Sequence, residues 1–182
     1  MAWLTHYRLA VRELDLSPGE RVVDTGYGTG LSLPLIEEAV GPTGQVVGVE
    51  QSPEMIELAR LRVSESGWTN VSLVPKPVQE AELPEGLDAA LFCLTHDVVR
   101  MPEAVANVLG SLRPGGRFVS LGPRQWHAIF EPANAIARSA IRRSMTTFEG
   151  LHHPWTHLEA GSTELRVRRL LFGWLYLAVG NV

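Results

Sequence analysis

Hydrophobic and polar positions alternate along this chain in two rhythms, and the rhythms themselves alternate. Residues 2–14 place Trp3, Leu4, Tyr7, Val11 and Leu14 at helical spacing. "SPGE" (17–20) reads as a turn, and "RVVDT" (21–25) as a short buried strand. "LSLPLIEEAV" (31–40) reads as a helix bent or broken near Pro34 and closed by "GPTG". "QVVGVE" (45–50) is a second strand. In "SPEMIELARLRVSES" (52–66), Ser52 fits an N-cap and Pro53 the first helical position, with Met55, Ile56, Ala59 and Val63 on one face. "VSLVP" (71–75) and "DAALFCL" (88–94) read as strands three and four. "PEAVANVLGSL" is a helix closed by "RPGG", and "RFVSLG" (117–122) is strand five.

Strand and helix in strict alternation predict a mostly parallel sheet joined by right-handed crossovers, with helices on both faces. The rhythm changes after residue 123. "EPANAIARSAIRRSM" has the pattern of a long helix. "ELRVRRLLF" and "WLYLAVG" then read as two strands too close together for a helical crossover, so at least one runs antiparallel. The expectation is a single Rossmann-like, doubly wound domain over residues 1–182. It has an N-terminal helix within residues 1–16, a helical insertion over 123–163 and an antiparallel C-terminal strand in a seven-stranded sheet.

The densest chemical signal sits at the end of strand one. In "VVDTGYGTG" (22–30), glycine stands at every second position, Gly26, Gly28 and Gly30, with Asp24 two residues before the first. In a parallel α/β sheet, ligands bind beyond the C-terminal strand ends where the strand order reverses. Bare backbone there lets a ligand approach closely. Glu50, twenty residues past Gly30, ends strand two, where a carboxylate can accept hydrogen bonds from both hydroxyls of a ribose. Loop and acid together indicate a nucleoside. The dinucleotide fingerprint would need a small residue at position 31, which is Leu31, and no Gly-Lys-Ser/Thr follows to make a phosphate loop. Asp24 would repel a pyrophosphate and attract an ammonium. A nucleoside with a cationic amino-acid end satisfies both acids, and a dehydrogenase is the competing reading.

Three stretches in register, "VVDTGYGTG", "VVGVEQSPEMIELAR" and "LGSLRPGGRFVSLG" (109–122), resemble the class I S-adenosylmethionine-dependent methyltransferases. The resemblance covers roughly residues 20–122. It implies S-adenosylmethionine as cofactor, with Asp24, Gly26, Tyr27, Gly28 and Gly30 holding its methionine portion. It further implies Glu50 on the ribose, Gln51 along the adenine, Val78 and Gln79 at the adenine edge, and Leu94 and Thr95 at the reactive end. The chain departs from the family in the third loop, where an acid is usual and this chain reads "PKPVQEAELP", with Gln79 or Glu80 as the substitute. The asparagine-proline-proline-aromatic motif of many amide and exocyclic-amine methyltransferases is replaced by "CLTHDV".

Methyl transfer needs an aligned nucleophile above all, and a base only if the acceptor must lose a proton. His96 and Asp97, directly after strand four, are the candidate catalytic groups, because histidine has a suitable pKa. Trp126, His127 and Phe130, after strand five, are the candidate acceptor wall. The histidines of "HHPWTH" (152–157) lack a carboxylate at ligand spacing, so no metal is expected, and Trp155 reads as a packing anchor. With no separate recognition domain, a small-molecule acceptor is expected. A non-catalytic cofactor-binding protein of the same fold is the alternative.

Composition narrows the picture a little. The chain is 45% hydrophobic and 20% charged, ordinary for a globular protein. Residues 1–100 carry 7 Lys/Arg against 15 Asp/Glu, and residues 101–182 carry 9 against 5. No dense basic cluster with interleaved aromatics suggests nucleic acid. No apolar run is long enough to span a membrane. One cysteine, Cys93, and no signal-peptide pattern lead to the expectation of a reducing, cytoplasmic setting. The arginines and apolar residues of 123–163 would also suit a homodimer contact.

Overall fold

A computed structural model describes residues 2–124 and 150–182. The elements run α1 (Ala2–Glu13), β1 (Arg21–Thr25), α2 (Leu33–Val40), β2 (Gln45–Val49), α3 (Pro53–Ser66), β3 (Val71–Val74), β4 (Leu87–Cys93), α4 (His96–Val99), α5 (Pro102–Ser111) and β5 (Leu112–Pro123). A short helix, Thr156–Ala160, precedes β6 (Glu164–Leu170) and β7 (Leu175–Asn181). The seven strands form one sheet in the order β3-β2-β1-β4-β5-β7-β6. Strands β1 to β5 are parallel, and β7 runs antiparallel to both neighbours. This is the expected Rossmann-like sheet with its reversed C-terminal strand.

The apolar residues of successive strands explain the two layers. Even-numbered β1 residues and odd-numbered β4 and β5 residues point one way: Val22, Leu91 and Val119 bury against Val11, Leu14, Leu33, Ile36 and Ala59 of the first three helices. Val23, Phe92 and Phe118 point the other way, against Val105, Val108, Leu158 and Trp155. A sheet covered on both faces buries successive residues of its strands, as β1, β2 and β4 show. Arg117 fastens α1 to this frame, donating to Leu14 O at 2.6 Å and Asp15 O at 3.0 Å and pairing with Glu20.

Several local expectations need correction. Pro34 does not bend a helix. It sits in the first turn of α2, where its missing N–H costs nothing. Ser52 occupies the N-cap of α3 but makes no capping bond from its side chain. Met55 is 39% exposed, so the buried face of α3 is carried by Ile56 and Ala59. The "RPGG" stretch, read as a helix stop, lies within β5, where the β4–β5 register slips between Leu87 and Ala89. "HPWTHLEA" reads as a helix start with Pro154 near the first turn, but Pro154 lies before the short helix, which begins at Thr156. Trp155 is an anchor as expected, buried against Tyr176 with ring centroids 5.3 Å apart.

Candidate functional site

The strand order turns back between β1 and β4, since β2 and β3 lie on one side and β5 on the other. The crevice of such a sheet opens there. Asp24 to Gly30 close β1 at this point. Gly26 donates to Val49 O at 2.7 Å, and Gly30 to Tyr27 O at 2.9 Å. Gly26, Gly28 and Gly30 all have positive φ, at 62°, 57° and 76°, a region that costs other L-residues about 1–2 kcal/mol.

The three glycines serve different ends. A Cβ on Gly26 would lie 2.4 Å from Thr95 Cγ2, so this glycine lets the β1 and β4 loops touch. A Cβ on Gly30 would lie 2.9 Å from Leu33 Cδ1, so it lets α2 pack. A Cβ on Gly28 would meet nothing within 4 Å. Gly28 is the one whose bare backbone faces open space.

Glu50 lies directly across. Its Oε2 accepts the Gly28 N–H at 3.0 Å, and its Oε1 accepts the N–H groups of Gln51 and Ser52 at 2.8 and 2.9 Å. A carboxylate has about four acceptor sites, so one remains on Oε2. This carboxylate holds the two N–H groups that lead into α3 and ties β2 to the glycine turn.

Asp24 is 1% exposed. Burial raises its pKa to about 7, the Ser32 hydroxyl that donates to it acts in the opposite direction, and the nearby Glu50 adds to the rise. No cation faces this acid in any ion pair among the described residues. Two partners were not foreseen. Ser32 is the hydroxyl on Asp24, and Tyr7 of α1 is close enough to feel its charge. A serine eight residues after an acid has no periodic signal that would have singled it out.

The remaining expected residues divide. Gln51 is exposed and Gln79 half-buried beside the turn Val78–Glu80. The side chain of Val78 packs into the core, and its carbonyl accepts from Asn107 at 2.8 Å. Leu94 has a φ of 62° and donates its N–H to Leu121 O at 2.7 Å. Thr95 Oγ1 is buried and, among the described residues, has no hydrogen-bond partner. His96 opens α4 and is 4% exposed, and Asp97 Oδ1 is buried without a hydrogen-bond partner among the described residues. Trp126, His127 and Phe130 lie outside the described residues, as does most of the 123–163 segment.

A bare turn and, among the described residues, a buried acid lacking a cation and an unpartnered hydroxyl suit a ligand bearing an ammonium and a ribose. Comparison with known proteins supports the same kind of ligand. A family model described as a methyltransferase domain matches residues 16–162. The chain belongs to the class I S-adenosylmethionine-dependent methyltransferases. Among curated relatives, the aklanonic acid methyltransferase DauC of Streptomyces sp. is 40% identical over 111 residues, which are 58% of this chain and 49% of that protein. The chain spans between about a quarter and half the length of the curated relatives it matches. Among solved structures, a geranyl diphosphate methyltransferase in complex with S-adenosylmethionine superposes with a TM-score of 0.77 at 15% identity, over 98% of this chain and 84% of that one. A S-adenosylmethionine-dependent methyltransferase from Aquifex aeolicus gives 0.69 at 18% identity, over 98% and 93%. At such identities the two structures speak for the fold. S-adenosylmethionine is the cofactor of this methyltransferase family, and the residues at the β1–β4 crevice fit it. No helix among the described residues is long and apolar enough to cross a membrane.

Proposed function

We propose that this chain transfers a methyl group from S-adenosylmethionine to a small-molecule acceptor. The observation that carries the reading is the open backbone of Gly28 set between Asp24, buried with no cation paired to it among the described residues, and the carboxylate of Glu50. Asp24 holds the ammonium, and the turn from Gly26 to Gly30, with Tyr27, borders the methionine portion. Glu50 offers its remaining acceptor site to the ribose, while Gln51 and Gln79 flank the adenine. Leu94 and Thr95 border the reacting carbon. Bound there, S-adenosylmethionine supplies a methyl already activated by the sulfonium charge.

The protein's share is then mostly alignment, which can remove a large part of a bimolecular barrier. The strained Leu94 and the packed Thr95 bring the β4 loop against the glycine turn. His96, next in sequence, takes the acceptor's proton where the acceptor has one to lose, with Asp97 beside it in sequence. A small acceptor is supported by the relative named for aklanonic acid, and the crevice is formed within the sheet's own loops.

Radiolabelled methyl incorporation over a metabolite panel, with calorimetry of S-adenosylhomocysteine, tests the proposal. Glu50→Ala is expected to weaken S-adenosylhomocysteine by roughly 1.5–3 kcal/mol, about 10- to 150-fold. His96→Ala is expected to lower turnover and leave that affinity intact. Tight binding with no turnover over the panel would favour a non-catalytic cofactor-binding protein. Binding of NAD in place of S-adenosylhomocysteine would overturn the reading.

A further inference from the structure

Arg124 stands immediately after β5 and is 8% exposed. Its backbone N–H donates to Trp174 O at 2.8 Å. Its Nε is buried without an acceptor, and among the described residues no carboxylate pairs with its guanidinium. Three other arginines of the fold are satisfied. Arg21 reaches Gln45 and two carbonyls, Arg113 reaches Asp88, and Arg117 reaches Glu20 and two carbonyls. The charge that Arg124 does feel has its own sign. Burial first, and Arg169 second, lower its hold on its proton.

The sheet register explains why two arginines meet. Gly122 pairs with Tyr176, and Tyr176 with Arg169, so the three form one cross-strand row on one face. A Cβ on Gly122 would touch Tyr176 Cε1 at 3.1 Å. Two residues beyond Gly122, Arg124 returns to the same face. This is also the edge where β5 meets the β4 loop, since Leu121 O accepts the N–H of Leu94. Arg124 therefore stands three residues beyond the strand position that anchors Leu94 and, with it, the proposed reacting end. Leu171 and Phe172, in the turn just before Trp174, are 58% and 93% exposed and offer apolar surface nearby.

A guanidinium stays charged at any ordinary pH, and burying it without a counter-charge lowers stability. Packing does not require such a group, since an apolar side chain of similar length would fill the space without that cost. We propose that Arg124, with the exposed Arg169 at its rim, binds an oxyanion of the methyl acceptor, a carboxylate or a phosphate, so that the acceptor is a small anion. The fork of a guanidinium matches either group with two parallel hydrogen bonds. The inference rests on the methyl-transfer reading and narrows it to a substrate class.

The test uses the full chain saturated with S-adenosylhomocysteine and three matched probes: benzoate, phenyl phosphate and the neutral benzamide. Calorimetry is expected to show one of the anions binding about tenfold or more tighter than benzamide, the scale of a charge-assisted pair. The tighter anion identifies the oxyanion. Arg124→Gln should abolish the preference and Arg124→Lys keep part of it, with S-adenosylhomocysteine affinity changed less than about twofold in both. Arg124→Met guards against a purely structural role. Its melting temperature without anion should equal or exceed that of the wild type. A fall of several degrees would make Arg124 a packing residue and overturn the proposal, as would equal binding of all three probes. If S-adenosylhomocysteine itself fails to bind, the methyltransferase reading falls and takes this inference with it. Cofactor binding without anion preference overturns the inference alone.

Discussion

At the scale of single residues, the glycine turn shows how one motif can hold three different constraints. Gly26 and Gly30 are required by neighbours, through Thr95 and Leu33, whereas Gly28 is bounded by open space. Gly26→Ala and Gly28→Ala therefore separate folding from binding. Both carry the cost of a left-handed alanine, about 1–2 kcal/mol. Gly26→Ala adds a contact of 2.4 Å with Thr95 and should lose clearly more stability in denaturant titration. Gly28→Ala should keep most of its stability and lose most of its affinity for S-adenosylhomocysteine. Equal losses of stability would show that Gly28 is also a packing position. The spacing of the glycines was plain in the sequence, but which of them faces outward was not. That depends on Leu33 and on Thr95, which lies in the loop after β4, far along the chain.

At the scale of elements, the β5–β7–β6 edge carries the reversed strand. The two closely spaced apolar stretches declared an antiparallel partner, because no helix fits between them. Their place beside β5 follows from the row Ser120, Tyr176 and Trp155. The Tyr176 hydroxyl and Ser120 Oγ lie 2.8 Å apart in the core, and the Trp155 ring packs on Tyr176. Tyr176→Phe would leave the buried Ser120 hydroxyl without this partner, at a cost of roughly 1–3 kcal/mol. For a domain of this size that corresponds to a drop of about 2–4 °C per kcal/mol in melting temperature. S-adenosylhomocysteine affinity should not change, because the row lies on the edge away from the glycine turn. An unchanged melting temperature would show that Ser120 finds another acceptor.

At the scale of the whole molecule, Asp24 links folding, pH and ligand binding. Its folded pKa, about 7, lies above the ordinary value of 3.8, so the folded protein binds this proton more tightly than the unfolded chain. The resulting stabilisation is complete below pH 4 and is lost as pH rises through 7. A cationic ligand prefers the ionised form, so affinity moves the other way. S-adenosylhomocysteine should bind more tightly at pH 8 than at pH 6, by about tenfold for one unit below the pKa. Asp24→Asn should remove both the stability slope and the affinity slope, checked by thermal denaturation and calorimetry across that range. A pH-independent wild-type affinity would place the ammonium elsewhere.

The order of strands and helices, the reversed last strand, the glycine turn and the acid after β2 were all legible in the sequence. Each is a local signal: a period of two or of 3.6, a glycine at a strand end, a fixed offset to a carboxylate. The tertiary structure alone decided that Glu50 accepts the Gly28 N–H, that Ser32 and Tyr7 surround Asp24, and that Val78 turns into the core. It alone left Arg124 buried beside Arg169 with no acid to meet it among the described residues. Burial and charge pairing depend on residues far apart in the chain, and no short-range pattern records which of them the sheet will bring face to face.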